Sequence, residues 1–263
     1  MPLTIPPAIK KSTVIFILLA FFNRPMFAQA NTESYLGAIK QELIKAWPGN
    51  RTINLVFHGH SVPAGYFKTP EVKTFDAYPS LLAKGLKAIY PNAVINVIIT
   101  AIGGENSVKG QRRFKRDVLR YRPDVLFIDY ALNDRFIVKN DSIASLRESK
   151  KAMEKMIRAA QKKNIKIILL TPSPDKRENI LQPDCALQRF TTQITQLAIK
   201  YDIGLADAFS RFKDRVAGGE DIEKYMSQVN HPNKEGHQII ADEISKWFGN
   251  LPVLNSTGER LVK

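Results

Sequence analysis

Four short polar clusters, each following an apolar run, hold the residues of this chain that could do covalent chemistry. They are His58-Gly59-His60-Ser61, Ile102-Gly103-Gly104-Glu105-Asn106, Ala131-Leu132-Asn133-Asp134 and His231-Pro232-Asn233. Acyl transfer needs a nucleophile, a base that takes its proton, and donors aimed at the oxyanion that develops. Ser61 supplies a hydroxyl, and His231 an imidazole on a segment that the following proline keeps extended. Gly104 offers a backbone N–H with no side chain in the way, and Asn133 an amide donor pair. Each residue alone reads as a turn or cap residue; together they form a full inventory for acyl transfer.

The elements that must position them follow from the hydrophobic pattern. Ile53 to Phe57, Val94 to Ile99, Val125 to Ile128, Ile165 to Leu170 and Ile203 to Ala206 are short, nearly continuous apolar runs, as expected of strands buried on both faces of a parallel sheet. Helical periods lie between them. Leu36, Ile39, Leu43 and Trp47 form an opening helix that stops at Pro48-Gly49; Ile143, Leu146, Met153, Ile157 and Ala160 share a face behind an N-cap at Asp141 or Ser142; Ile240, Ile244 and Trp247 repeat the spacing near the end. Strand and helix alternating five times give right-handed βαβ units, hence an α/β fold: a three-layer α/β/α sandwich with a mostly parallel five-stranded sheet. In such sheets the ligand sits beyond the carboxyl ends of the strands, where the four polar clusters fall.

The first thirty residues read as a separate object. Lys10 and Lys11 precede an apolar run from Thr13 to Phe22, too short for a bilayer span, and Ala28-Gln29-Ala30 supplies a small-x-small cleavage site. Residues 1–30 are therefore expected to be a secretory signal, residues 31–250 the folded domain and residues 251–263 a loose tail, in a secreted or periplasmic protein with no stable membrane span. Without residues 1–30 the balance is 36 Lys and Arg against 25 acids, or +11. On an exported chain such a field favours an anionic polymer or envelope surface over nucleic acid, although Arg112, Arg113, Lys115 and Arg116 are expected on solvated helix faces. One cysteine, Cys185, excludes an internal disulfide and a thiolate zinc cluster. Phosphate-loop, dinucleotide-turn and His-Glu-x-x-His patterns are absent, and Val62-Pro63 after Ser61 breaks the Gly-x-Ser-x-Gly elbow.

From Ile53 to Trp247 the chain resembles the SGNH, or GDSL-type, hydrolases. Phe57-His58-Gly59-His60-Ser61, Ile102-Gly103-Gly104-Glu105-Asn106-Ser107, Leu132-Asn133-Asp134 and His231-Pro232-Asn233 with Gly236-His237 stand in the family's block order. The resemblance implies a flavodoxin-like fold, ester or thioester hydrolysis without a cofactor, Ser61 as nucleophile and His231 as general base. It also implies an oxyanion hole of the Ser61 and Gly104 N–H groups with the Asn133 amide. Because exported members often deacylate carbohydrates, an acetyl ester on a carbohydrate is the expected substrate.

Three departures stand out. The family's Gly-Asp-Ser is Gly59-His60-Ser61, the glycine opening the third block is Ala131, and Asp-x-x-His is Gln228-Val229-Asn230-His231. The last removes the carboxylate that would orient the imidazole, a loss that can cost on the order of 10⁴ in turnover. A backbone carbonyl, Gln228 or Asp207 must then hold the ring, or the site works as a dyad.

The other polar residues carry alternatives. His58-x-His60 with Asp129 could open a metal site that generates hydroxide, making the chain a metal-dependent hydrolase, and the lost acid is equally consistent with a non-catalytic glycan-binding relative. His237 reads as a packing or capping residue of the last helix. Glu105 and Asn106 either line a pocket or start the next helix. Asp129 and Asp134 read as metal ligands or turn caps. Tyr66, Phe67, Tyr78 and Tyr130 are candidates for a sugar-stacking surface or for the core.

Overall fold

The computed structural model of the protein describes Met1 and residues 30–249. The expected signal segment, apart from Met1 and Ala30, and the expected tail lie outside the described residues. No helix among those described is long and apolar enough to cross a membrane.

Five strands, β1 (Thr52–Gly59), β2 (Val94–Ile99), β3 (Val125–Asp129), β4 (Lys166–Leu170) and β5 (Gly204–Ala206), form one parallel sheet in the order β2-β1-β3-β4-β5. Alternate side chains serve two cores. Ile53, Leu55, Phe57, Val125, Phe127, Ile168 and Leu170 face α1 (Gly37–Leu43), α2 (Tyr78–Ile89), α7 (Ala208–Ala217) and α8 (Lys234–Ser245). Val56, Leu126, Ile128, Ile167 and Leu169 face α3 (Ser107–Asp117), α5 (Ser142–Gln161) and α6 (Ala186–Tyr201). Burial on both faces is why β1, β3 and β4 read as continuous apolar runs rather than as alternating ones; β2 reads the same way but, as an edge strand, has no buried residue, with Val94 45% and Ile99 38% exposed.

Two helix readings need correction. The opening helix ends at Leu43 with Ile44 as C-cap, and Trp47 is 85% exposed, so its spacing was coincidental. In α5 the apolar face is Ala144, Ala152, Met153, Met156, Ile157 and Ala160, while Ile143 is 79% exposed; Asp141 is the N-cap and accepts the Ala144 N–H at 2.8 Å. Small residues carry this face because α5 packs closely on α3 and the sheet. Trp247 is buried as expected, just beyond the end of α8, and donates its indole N–H to the Leu205 carbonyl.

The chain leaves β1 toward β2 on one side and reaches β3 on the other, so the topological switch lies between β1 and β3. Their last residues, Gly59 and Asp129, are paired there. A Cβ on Gly59 would stand 2.4 Å from the Asp129 carbonyl oxygen and 2.8 Å from Pro63 Cγ, so only glycine lets β1 turn beside β3. Gly59→Ala is accordingly expected to cost about 1–3 kcal/mol or more of stability through overpacking, seen as a lower urea midpoint at unchanged m-value.

Candidate active site

A tight turn follows Gly59. The His60 N–H donates to the Asp129 carbonyl, the Val62 N–H to His60 Nδ1 at 3.2 Å, and the Tyr66 N–H to the Ser61 carbonyl. Ser61 thus projects from a turn pinned to β3 on one side and to its own loop on the other. The His231 loop is pinned just as locally: the His231 carbonyl accepts from the Ser227 N–H and Ser227 Oγ, and Asn233 caps α8 by accepting the Gly236 N–H. The two loops place Ser61 Oγ 2.8 Å from His231 Nε2, across 170 positions of sequence, with both residues less than 10% exposed.

What holds the far edge of the imidazole is a backbone carbonyl. Phe67 O lies 2.8 Å from His231 Nδ1, and a carbonyl only accepts, so this contact puts the proton on Nδ1 and leaves the Nε2 lone pair facing the serine. Gln228 works against it. The Thr69 N–H donates to Gln228 Oε1, which turns the amide so that its Nε2 lies 2.6 Å from the same Nδ1. Asp207, the third candidate for this role, is elsewhere: it caps α7 and accepts from Thr171 Oγ1 and the Ser210 hydroxyl. Burial lowers the His231 pKa, the Phe67 carbonyl opposes that shift, and nearby His60 adds to it. The ring is therefore neutral, and able to accept a proton, at neutral pH.

The other candidate donors stand on the second and third polar clusters. Gly104 takes φ +72°, a conformation natural to glycine, and the backbone N–H groups of Ser61 and Gly104 find no acceptor among the described residues. Asn133 Nδ2 donates one hydrogen to the Glu105 carbonyl at 2.9 Å and keeps the second. The Tyr66 ring links the parts: it lies against Gly103, where an added Cβ would be 3.2 Å from the ring, and its centroid is 6.2 Å from that of His231.

Beneath this rim lies a buried network that sequence reasoning missed. Glu105 pairs with Arg113 (Nε–Oε1 2.8 Å) and accepts the Tyr130 hydroxyl at 2.8 Å, fixing the backbone to which Asn133 is bonded. Arg113 is thus an inward ion-pair partner, not one of the solvated helix cations. Gly110 on α3 has no Cβ to strike the Tyr130 hydroxyl, which would be 2.2 Å away. Asp134, fully buried, accepts the Ser107 N–H at 2.7 Å and the Ser149 hydroxyl at 2.6 Å; burial raises its pKa to about 6. Asn106 caps α3.

The histidine pair does not converge as a metal site requires. His58 turns toward α3, with Nδ1 2.9 Å from Thr100 Oγ1 and Nε2 shared between the Gly110 carbonyl and the Tyr130 hydroxyl. His60 faces Asp129, its Nε2 3.2 Å from Oδ1, and the other oxygen of Asp129 accepts the Tyr78 hydroxyl. No cluster of three or more metal-ligating side chains exists among the described residues. His237 accepts the Tyr78 N–H and stacks on Phe67 at 4.9 Å, so α8 supports the segment whose carbonyl holds His231. Phe67, Tyr78 and Tyr130 are buried, which leaves Tyr66 alone of the four aromatics partly open to a ligand.

Residues 57–239 match the GDSL-like Lipase/Acylhydrolase family. The chain belongs to that family and is a carboxylic ester hydrolase. No curated protein sequence matches it. Among solved structures it is similar to an acetylxylan esterase from Geobacillus stearothermophilus, at TM-score 0.63 and 20% identity over 78% of this chain and 96% of that one. It is also similar to a two-domain esterase active on acetylated mannans, at TM-score 0.63 and 18% identity over 84% of this chain and 54% of that one.

Burial drives the pKa of His58 down to about 4 and that of His237 to about 3, against an ordinary value near 6.5. Between pH 6.5 and 4 the unfolded chain binds these protons and the folded chain does not, so stability falls on acidification. Asp134 acts in the opposite sense between about pH 4 and 6, since its raised pKa makes the folded state bind the proton. Two histidines outweigh one carboxyl, and the urea midpoint is expected to be lower at pH 4.5 than at pH 7; an equal or higher midpoint would contradict this balance.

Proposed function

We propose that the protein is an exported serine esterase that removes a short acyl group, acetyl in the first place, from a carbohydrate. The observation that carries the reading is the 2.8 Å contact between Ser61 Oγ and His231 Nε2. As the acyl carbon is attacked by Ser61 Oγ, the hydroxyl proton passes to His231 Nε2. The tetrahedral oxyanion is met by the N–H groups of Ser61 and Gly104 and by the remaining Asn133 N–H. His231 then gives its proton to the leaving sugar oxygen, and the C–O bond breaks to leave an acyl-Ser61 ester. Water, deprotonated by His231, repeats the attack and releases the carboxylic acid and Ser61.

The carbonyl of Phe67 takes the orienting part of the missing acid's task, selecting the Nδ1–H tautomer. It brings a dipole and no negative charge, so the imidazolium that forms is stabilised less than in a full triad. The acetyl and carbohydrate parts of the proposal draw on the two similar structures, which act on acetylated xylan and acetylated mannans. Export draws on Lys10, Lys11, the apolar run and Ala28-Gln29-Ala30.

With p-nitrophenyl acetate, Ser61→Ala is expected to abolish turnover, and Asn133→Ala to lower kcat about 10²- to 10³-fold through loss of an oxyanion donor. An unchanged rate in Ser61→Ala would remove the proposal. The acid limb of kcat/KM is expected below the ordinary histidine range, because the His231 pKa is depressed. Gln228→Asp, which places a carboxylate at the contested Nδ1, is expected to move that limb to higher pH and to raise kcat; a limb that stays in place would show that Gln228 does not act on the ring.

A further inference from the structure

The positive charge of this chain is not spread evenly. Residues 107–166 hold 17 Lys and Arg against 7 Asp and Glu, so this stretch carries +10 of the chain's net +14. On the helices themselves the asymmetry follows the layers. Leaving aside Arg113, which points inward to Glu105, α3 and α5 carry nine cations and three acids, whereas α1, α2, α7 and α8 on the opposite face carry seven and five. α3 and α5 pack side by side over the same face of the sheet, so their solvent sides form one surface.

That surface is under-neutralised. Of its three acids, Asp117 already faces Arg113 and Arg116, Glu148 faces Arg147 and Lys151, and Glu154 faces Arg158 and Lys200. Arg112, Lys115, Lys150 and Lys155, with Lys162 and Lys163 just past the end of α5, are exposed and have no side-chain ion pair or hydrogen bond among the described residues. α5 alone spans about 30 Å at 1.5 Å per residue. A small anion would engage one or two of these cations; only a long polyanion gains from all of them together.

Position then narrows the choice of polyanion. α3 begins at Ser107, directly after the Gly103-Gly104 loop and its cap Asn106, and α5 also starts from the rim on which Ser61 stands. The basic surface therefore starts on the rim that carries the four polar clusters and runs down the flank of the molecule along α3 and α5. Resting on the esterase reading above, we infer that the substrate is an anionic polysaccharide, whose acylated residue enters at Ser61 while the charged chain beyond it lies across α3 and α5.

The test compares the full-length protein with the variant Arg112→Glu/Lys115→Glu/Lys150→Glu/Lys155→Glu, all exposed positions outside the site. Binding to polygalacturonate and to neutral dextran is measured at low and at high salt, and kcat/KM is measured on p-nitrophenyl acetate and on acetylated polygalacturonate. The parent is expected to bind polygalacturonate but not dextran, with affinity falling as salt screens the charges. The variant should bind at least about tenfold more weakly and show a raised KM on the acetylated polymer, with unchanged kcat/KM on the small ester. Equal binding to dextran, salt-independent binding, or an unaltered KM in the variant would overturn the inference. So would binding confined to phosphatidylcholine vesicles containing phosphatidylglycerol, which would assign the surface to lipid. A parent inactive on p-nitrophenyl acetate that still binds polygalacturonate would fault the esterase reading and leave the surface standing.

Discussion

The Nδ1–H bond from His231 to the Phe67 carbonyl is the interaction on which the rest of the site depends. Without an acceptor at that edge the imidazole has no reason to keep its proton on Nδ1, and its Nε2 lone pair would not be presented to Ser61. The acceptor is backbone, so its position is set by everything that holds residue 67 in place. The Phe67 ring is stacked on His237, and His237 is tied to the start of α2 through the Tyr78 N–H. The packing of α2 on α8 thus reaches the Ser61–His231 pair through one hydrogen bond, one ring stack and one carbonyl.

A second set of constraints acts on the turn that carries Ser61. In the chain's Gly-His-Ser, His60 spans Ser61 by accepting the Val62 N–H, and it faces the carboxylate of Asp129, the last residue of the neighbouring strand. Where the family's motif places an acid beside the serine, this chain has His60, whose ring faces Asp129 on β3. The third and second blocks are locked to each other from below by Asp134 on the Ser107 N–H and by Glu105 on Arg113 and Tyr130. The first three blocks are therefore fastened to the buried acids Asp129, Glu105 and Asp134, while the His231 block is held by the Phe67 carbonyl, Ser227 and the Asn233 cap.

Much of this was legible before any coordinates. Strands buried on both faces announce themselves as short β-branched runs, and their order with intervening helices leaves few topologies open; the four polar clusters then had to fall on one rim. Ser61, Gly104, Asn133 and His231 were identifiable as candidates because each carries chemistry in its side chain, or in the lack of one. Phe67 was not, because the group that matters is a carbonyl that every residue has. The pairing of Glu105 with Arg113 was hidden for another reason: spacing on a helix shows that Arg113 is polar, and only packing shows that it points inward. Trp47 and Ile143 misled because a spacing of three or four residues arises by chance in short helices, where burial depends on what lies opposite.

The proposed chemistry stands or falls on Ser61 being a nucleophile made reactive by His231. Treating the native protein with a fluorophosphonate and locating the adduct by peptide mass tests this directly, because such reagents capture only activated hydroxyls. One phosphonylated peptide is expected, carrying the label on Ser61, and it should disappear in His231→Ala. Labelling elsewhere, or no labelling of a protein that hydrolyses p-nitrophenyl acetate, would contradict it.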